Sequence, residues 1–277
     1  MSLTPAPTLT LANGIEMPQV GLGTWPLNDQ QAAEAVTTAL ELGYRMIDTA
    51  ENYNNEVGVG QGIRNASVPR DQVFVTTKFN RQWHGFEGAQ TACEASLQRL
   101  GLDYIDLLLI HWPNPDQDRF VEAYLGLLNL QDKGLVRAIG TSNFKPAHLQ
   151  RLLALGLTPQ VNQIQLDPYH RRDDLISLHQ SKGIVTESWR PLGCGNAMLA
   201  DPVVTGIAAA HQCTPAQIVL RWAVQQGFAT APKSANPARM AENLSLFDFA
   251  LSDSEMAALD QLGRDDPEML DADSFGH

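Results

Sequence analysis

Cysteine is scarce in this chain, with three residues in 277, at Cys93, Cys194 and Cys213. An odd, widely spaced trio builds neither a disulfide framework nor a zinc motif, which excludes a small cross-linked secreted fold. Long apolar runs are missing too. The richest, "YIDLLLIHW" at 104–112, is far shorter than the roughly 20 residues of a membrane-spanning helix. The opening "MSLTPAPTLT" carries neither the basic end nor the apolar stretch of a secretory leader. A reducing cytoplasm is therefore the expected location, with no membrane partner. Basic runs are also absent, and the formal net charge is −12. Such a surface repels DNA or RNA, and an anionic small ligand would need a local basic pocket.

Phosphate-binding fingerprints are lacking as well. No GxxxxGK[ST] stretch occurs. "GLGTWP" at Gly21 has no third glycine, and Trp25-Pro26 stands where a helix should open. "GVGQG" lies inside a helical pattern, so Gly58, Gly60 and Gly62 are read as close-packing positions on a helix. A metal-dependent barrel hydrolase would need several rim histidines, and His111 is the one that ends a strand-like run.

What the chain does have is alternation. Eight β-rich runs can be counted: "VGLGTW", "YRMIDTA", "VFVTTKF", "YIDLLLIH", "VRAIGTSN", "QVNQIQL", "IVTESW" and "FATAPKS". Helical patterns separate them at 29–42, 55–65, 86–100, 118–133, 145–155, 172–182, 201–226 and 236–247. Gly43, Gly101, Gly134, Gly156, Gly183 and Gly227 follow helical stretches, where a left-handed residue ends a helix. Regular strand–helix alternation implies parallel strands. The expectation is an α/β fold, a single (β/α)8 TIM barrel over 1–277, with an N-terminal β-hairpin as a plug and a C-terminal extra helix and tail. Asn13-Gly14 suits a type I′ turn for the hairpin. An open doubly wound sheet is the rival architecture, and the missing glycine fingerprint disfavours it.

In such a barrel the reactive groups stand at the C-terminal ends of strands. Asp48 ends the second run, Tyr53 lies in the loop beyond it, Lys78 ends the third and His111 the fourth. Singly, each has a bland reading: a turn carboxylate, a packing phenol, a satisfied histidine. Together they form a proton donor. An ammonium near a phenol favours the phenolate, a carboxylate holds the ammonium charged, and an imidazole N–H can hold a substrate oxygen. Protonating a carbonyl oxygen while hydride reaches its carbon needs a bound hydride cofactor.

"GYRMIDTAENYNNE", "GLVRAIGTSNF" and "APKSANPARMAEN" resemble the three signature regions of the aldo-keto reductase superfamily, in the usual order and spacing. "VNQIQL", "ESWRPLG" and "TPAQIVLRW" are most similar to the bacterial 2,5-diketo-D-gluconate reductase group. The resemblance implies a catalytic tetrad of Asp48, Tyr53, Lys78 and His111, with Tyr53 the proton donor. It implies that Ser142, Asn143 and Gln163 hydrogen-bond a nicotinamide carboxamide and that Trp189 stacks on the ring. Gly23 and Thr24 line the pocket, and Arg190, Pro191, Leu192 and Gly193 pass near the cofactor. Arg190 replaces the Ser or Gly usual there and either contacts the pyrophosphate or faces solvent. Lys233, Ser234 and Arg239 form a basic site suited to an adenosine 2′-phosphate, with Glu242 and Asn243 near the adenine; NADPH/NADP+ is thereby favoured over NADH. Trp25, Trp83 and Trp112, with His84 as a weaker candidate, are expected to contact substrate beside Tyr53 and His111, beneath the C-terminal tail. The implied activity is reversible reduction of aldehydes and ketones by a monomer, with a dicarbonyl such as 2,5-diketo-D-gluconate or methylglyoxal as a candidate substrate. The alternative is a cofactor-binding regulatory subunit with little turnover.

Overall fold

The computed structural model describes residues 6–195, 197–264 and 269–276. Residues 265–268 and 277 of the acidic ending lie outside the described residues.

Two short antiparallel strands come first, β1 (Thr8–Thr10) and β2 (Glu16–Pro18). Their connection departs from the expected type I′ turn, which needs positive φ at both central residues. Only Gly14 has it (φ 82°), and Leu11 N–H donates to Ile15 O (2.9 Å) across a three-residue loop. Asn13 serves differently: its Nδ2 donates to Arg137 O (2.9 Å), tying the loop to the barrel. Leu11 and Met17 join Met46, Phe74, Leu107, Leu109, Ala138, Val161 and Ala229 in a buried inner cluster. The hairpin thus closes the N-terminal end of the barrel.

Eight parallel strands follow: β3 (Leu22–Gly23), β4 (Met46–Asp48), β5 (Phe74–Phe79), β6 (Ile105–Ile110), β7 (Val136–Ser142), β8 (Val161–Gln165), β9 (Val185–Trp189) and β10 (Ala229–Thr230). Each pairs with the next in chain order. The ring closes through parallel bridges Val20↔Thr230 and Gly23↔Lys233. A Cβ at Gly23 would stand 2.6 Å from Ala231 O, so the seam requires glycine there. Alternation divides the side chains into two layers. Ile47, Val75, Leu108, Ile139 and Ile164 pack outward in the larger cluster shared with the helices, and the alternate residues fill the barrel.

The surrounding helices are α1 (Asp29–Leu42), α2 (Glu56–Asn65), α3 (Phe86–Leu100), α4 (Phe120–Asp132), α5 (Pro146–Leu153), α6 (Asp173–Lys182), α7 (Pro202–His211), α8 (Pro215–Gln225), α9 (Pro237–Leu244) and α10 (Asp253–Asp260). Capping boxes start α1 (Asn28 with Gln31), α8 (Thr214 with Gln217) and α10 (Ser252 with Glu255). The single helical stretch expected over 201–226 is two helices. Gln212 enters the left-handed region (φ 55°) and ends α7, and Thr214 caps α8 with Pro215 at its first turn. The glycines of α2 pack as expected. A Cβ at Gly58 would fall 2.0 Å from Asp29 O, and one at Gly60 would fall 1.8 Å from Leu100 O.

At the N-terminal end, buried Asp106 on β6 accepts from Arg70 (2.7 Å), Arg137 (2.7 Å) and Val75 N–H (3.0 Å).

Candidate active site

The C-terminal rim opens into a cleft of ≈ 870 Å³. Asp48 ends β4 directly beside Thr76 of β5. Lys78, two residues on, points the same way, into the barrel. Its ammonium donates to Asp48 Oδ1 (2.8 Å), Asp48 Oδ2 (2.9 Å) and Thr49 O (2.9 Å), and Lys78 has no exposed surface. Burial works to lower the lysine pKa, but the charge and hydrogen bonding of Asp48 outweigh it and hold the ammonium above its ordinary value. Asp48 Oδ1 also accepts from Gln163 Nε2 (3.0 Å) on β8, across the mouth.

Tyr53 lies in a short 3-10 turn, Glu51–Tyr53, half-buried, with Lys78 Nζ 5.2 Å from its ring centre. Burial raises the phenol's pKa, and the charge of Lys78 lowers it. The balance differs from the sequence-based expectation: burial wins, and the phenol is held above its ordinary value. A neutral phenol is the form that can donate a proton. His111 follows β6, its ring 6.0 Å from that of Tyr53 and its Nδ1 3.3 Å from Asn80 Oδ1. Asn143 Nδ2 donates to His111 O (3.0 Å), and Trp189 Nε1 donates to Asn143 Oδ1 (2.9 Å). Asn143 takes a left-handed backbone (φ 64°), which turns its amide back toward the rim.

Gly23, Thr24, Trp25, Asp48, Tyr53, His111, Trp112, Ser142, Asn143, Gln163, Trp189, Arg190, Pro191, Leu192 and Lys233 all line this one cleft. The Arg190 guanidinium lies over both Trp25 (5.6 Å) and Trp189 (5.3 Å). Ser234, Arg239, Glu242 and Asn243 lie beyond the lining, on or just before α9, and Gly193 lies past Leu192. Trp83 and His84, expected beside the substrate, are held by other partners. Trp83 does not line the cleft, because its indole N–H donates to Glu51 Oε1 (2.7 Å) and anchors the loop. His84 is buried against Phe79, and burial lowers its pKa to about 4.

Sequence reasoning passed over Pro26, Asn52, Ala231, Pro232, Leu270 and Phe275, which also line the cleft. Leu270 and Phe275 come from the tail. Phe275 meets Trp112 edge to face at 4.7 Å, while Asp273 pairs with Lys145 (2.6 Å) and His148 (3.0 Å), and Asp271 also pairs with Lys145. A lone phenylalanine, Phe275, behind the carboxylates Asp271 and Asp273 was the available signal. Among the described residues no cluster of metal-binding side chains occurs.

An ammonium–carboxylate pair buried beneath a phenol, at the rim of a parallel eight-stranded barrel, belongs to the barrel oxidoreductases. Residues 18–264 match the Aldo/keto reductase family model, and the chain belongs to that family. It is 44% identical to a methylglyoxal reductase, DkgA, of Yersinia pestis, over 98% of this chain and 100% of the relative. It is 43% identical to a morphine 6-dehydrogenase of Pseudomonas putida, over 98% and 97% of the two chains. The solved structure of a Gox0644 point mutant in complex with NADPH superposes with a TM-score of 0.93 at 41% identity, covering 98% of both chains.

Proposed function

We propose that this protein is an NADPH-dependent reductase that converts aldehydes and ketones to alcohols, and runs in reverse when alcohol and NADP+ are abundant. The observation that carries the reading is the Lys78–Asp48 pair, buried at the floor of the cleft and set beneath Tyr53. The residues present fit the cofactor. Ser142, Asn143 and Gln163 offer amide and hydroxyl groups in the cleft, Trp189 offers a flat indole beside them, and Lys233 with Arg239 supplies cations for a phosphate. The NADPH bound to the Gox0644 mutant supports the same choice.

When bound, the cofactor supplies hydride to the carbonyl carbon. Tyr53 gives its proton to the carbonyl oxygen, completing the alcohol, and regains one from solvent. Lys78 stabilises the phenolate left behind, and Asp48 keeps Lys78 charged and in place. His111 holds the substrate oxygen through an imidazole N–H. Trp112 and Phe275, packed edge to face, give the cleft an apolar side against which a substrate's carbon groups can rest. Small dicarbonyls, methylglyoxal or 2,5-diketo-D-gluconate, are the substrate class we favour; the likeness to a methylglyoxal reductase supports this. Following NADPH absorbance over a panel of dicarbonyls, aryl aldehydes, sugars and cyclic ketones tests the reading. Turnover with α-dicarbonyls is expected, and absence of turnover on every member would overturn it.

A further inference from the structure

Glu187 stands two residues before Trp189 on β9 and faces the barrel interior with it. Its register partners are Gln163 on β8 and Ala229 on β10. The side chain has no exposed surface, and neither carboxyl oxygen has a partner in full hydrogen-bonding geometry, the Gln163 side chain acting on it as a weaker polar neighbour. Gln163 directs its amide N–H to Asp48, and the three Lys78 contacts go to Asp48 and Thr49. The charged and titratable groups whose fields couple to Glu187 are Asp48 from β4, Lys78 from β5 and Tyr53 from the turn behind them. The barrel centre therefore holds two carboxyls and one ammonium, and Asp48 already has the ammonium.

We propose that Glu187 is a positioning residue for proton donation by Tyr53: uncharged, it leaves the Asp48–Lys78 pair electrically balanced beneath the phenol, and ionised, it opposes release of the phenol's proton. The physical ground is the cost of an unpaired buried carboxylate. Burial, and after it the charge of Asp48, pushes the Glu187 carboxyl up to about 8, against the opposing pull of Gln163 and Lys78. Ionised Glu187 in turn raises the Tyr53 pKa further. The proposal rests on the functional reading for its effect on rate, and on the geometry for its ionisation.

The test compares pH profiles of the wild-type enzyme and Glu187→Gln, each scaled to its own maximum. Wild-type reduction should fall on the alkaline side, to about one tenth of its maximum near pH 9, as expected for one ionisation near 8. In Glu187→Gln that limb should move to higher pH. A limb at the same pH in both proteins overturns the proposal, as does a Glu187→Gln profile of unchanged shape at lower height. Infrared titration of the wild-type protein is independent of turnover and of how the variant folds. A carboxyl band that persists at pH 7 and disappears above pH 8 supports the proposal, and its absence at pH 7 overturns it. A protein that shows this band yet reduces no carbonyl would sink the functional reading and leave the ionisation standing.

Discussion

At Lys78, a charged nitrogen fully removed from solvent is held by two carboxylate oxygens and a backbone carbonyl, all at 2.8–2.9 Å. Removing one member of such a pair strands the other. Lys78→Met should therefore leave Asp48 buried without its counter-charge and lower both the thermal midpoint and the rate. Tyr53→Phe is a cleaner probe, because it deletes one oxygen and no packing. Its kcat for carbonyl reduction should fall at least about a hundredfold, the usual scale for a lost general acid. NADPH binding, read by quenching of tryptophan fluorescence, should persist. Full activity in Tyr53→Phe would remove Tyr53 from the chemistry. These residues were legible in the sequence because each ends or closely follows a β-rich run. Glu187 was not, since a carboxylate in mid-strand carries no mark of how little solvent it keeps. Trp83 shows the same limit: the sequence displays a ring but not the carboxylate, Glu51, that its indole N–H meets.

Among the elements, the strands and most helices could be read from periodicity and from terminal glycines. The break between α7 and α8 was hidden, because Gln212 adopts a conformation usual for glycine and its neighbours keep a helical pattern. The first and last barrel strands are two residues each, and the seam between them depends on a close backbone approach at Gly23 that no side-chain pattern announces. Two element-level outcomes can be measured. Asp106 on β6 has no exposed surface and anchors Arg70 and Arg137. Asp106→Ala should cost roughly 1–3 kcal/mol by denaturant unfolding, the scale of lost hydrogen bonds to charged groups, because the partly exposed Arg70 and Arg137 can turn to solvent. At the start of α9, Arg239→Ala should raise the KM for NADPH roughly tenfold, about 1.4 kcal/mol, with much less effect on NADH. Equal effects on both cofactors would dismiss the 2′-phosphate site.

Over the whole molecule, the two ends of the barrel are filled differently. The N-terminal end is an apolar plug with a buried ionic knot at its edge. The C-terminal end is a polar constellation under a cover of aromatic and acidic residues. That cover is held largely by ion pairs, with Asp271 and Asp273 each more than half exposed. Lys145→Met should loosen it and raise the KM for the carbonyl substrate severalfold, with a smaller change in kcat, in steady-state assays at saturating NADPH. An unchanged KM would mean that contacts such as Trp112–Phe275 suffice to hold the tail. The tail was the least legible part of the chain, because its order depends on partners more than a hundred positions away.

The Asp48–Lys78 pair beneath the proposed proton donor stands on strands locked into a closed ring, whereas the roof of the pocket leans on Lys145, His148 and Trp112 through a few side-chain contacts. Replacements in that roof can retune which molecules are admitted while the donor beneath them keeps its alignment. Descendants of this barrel can thus diverge in diet without relearning the reaction.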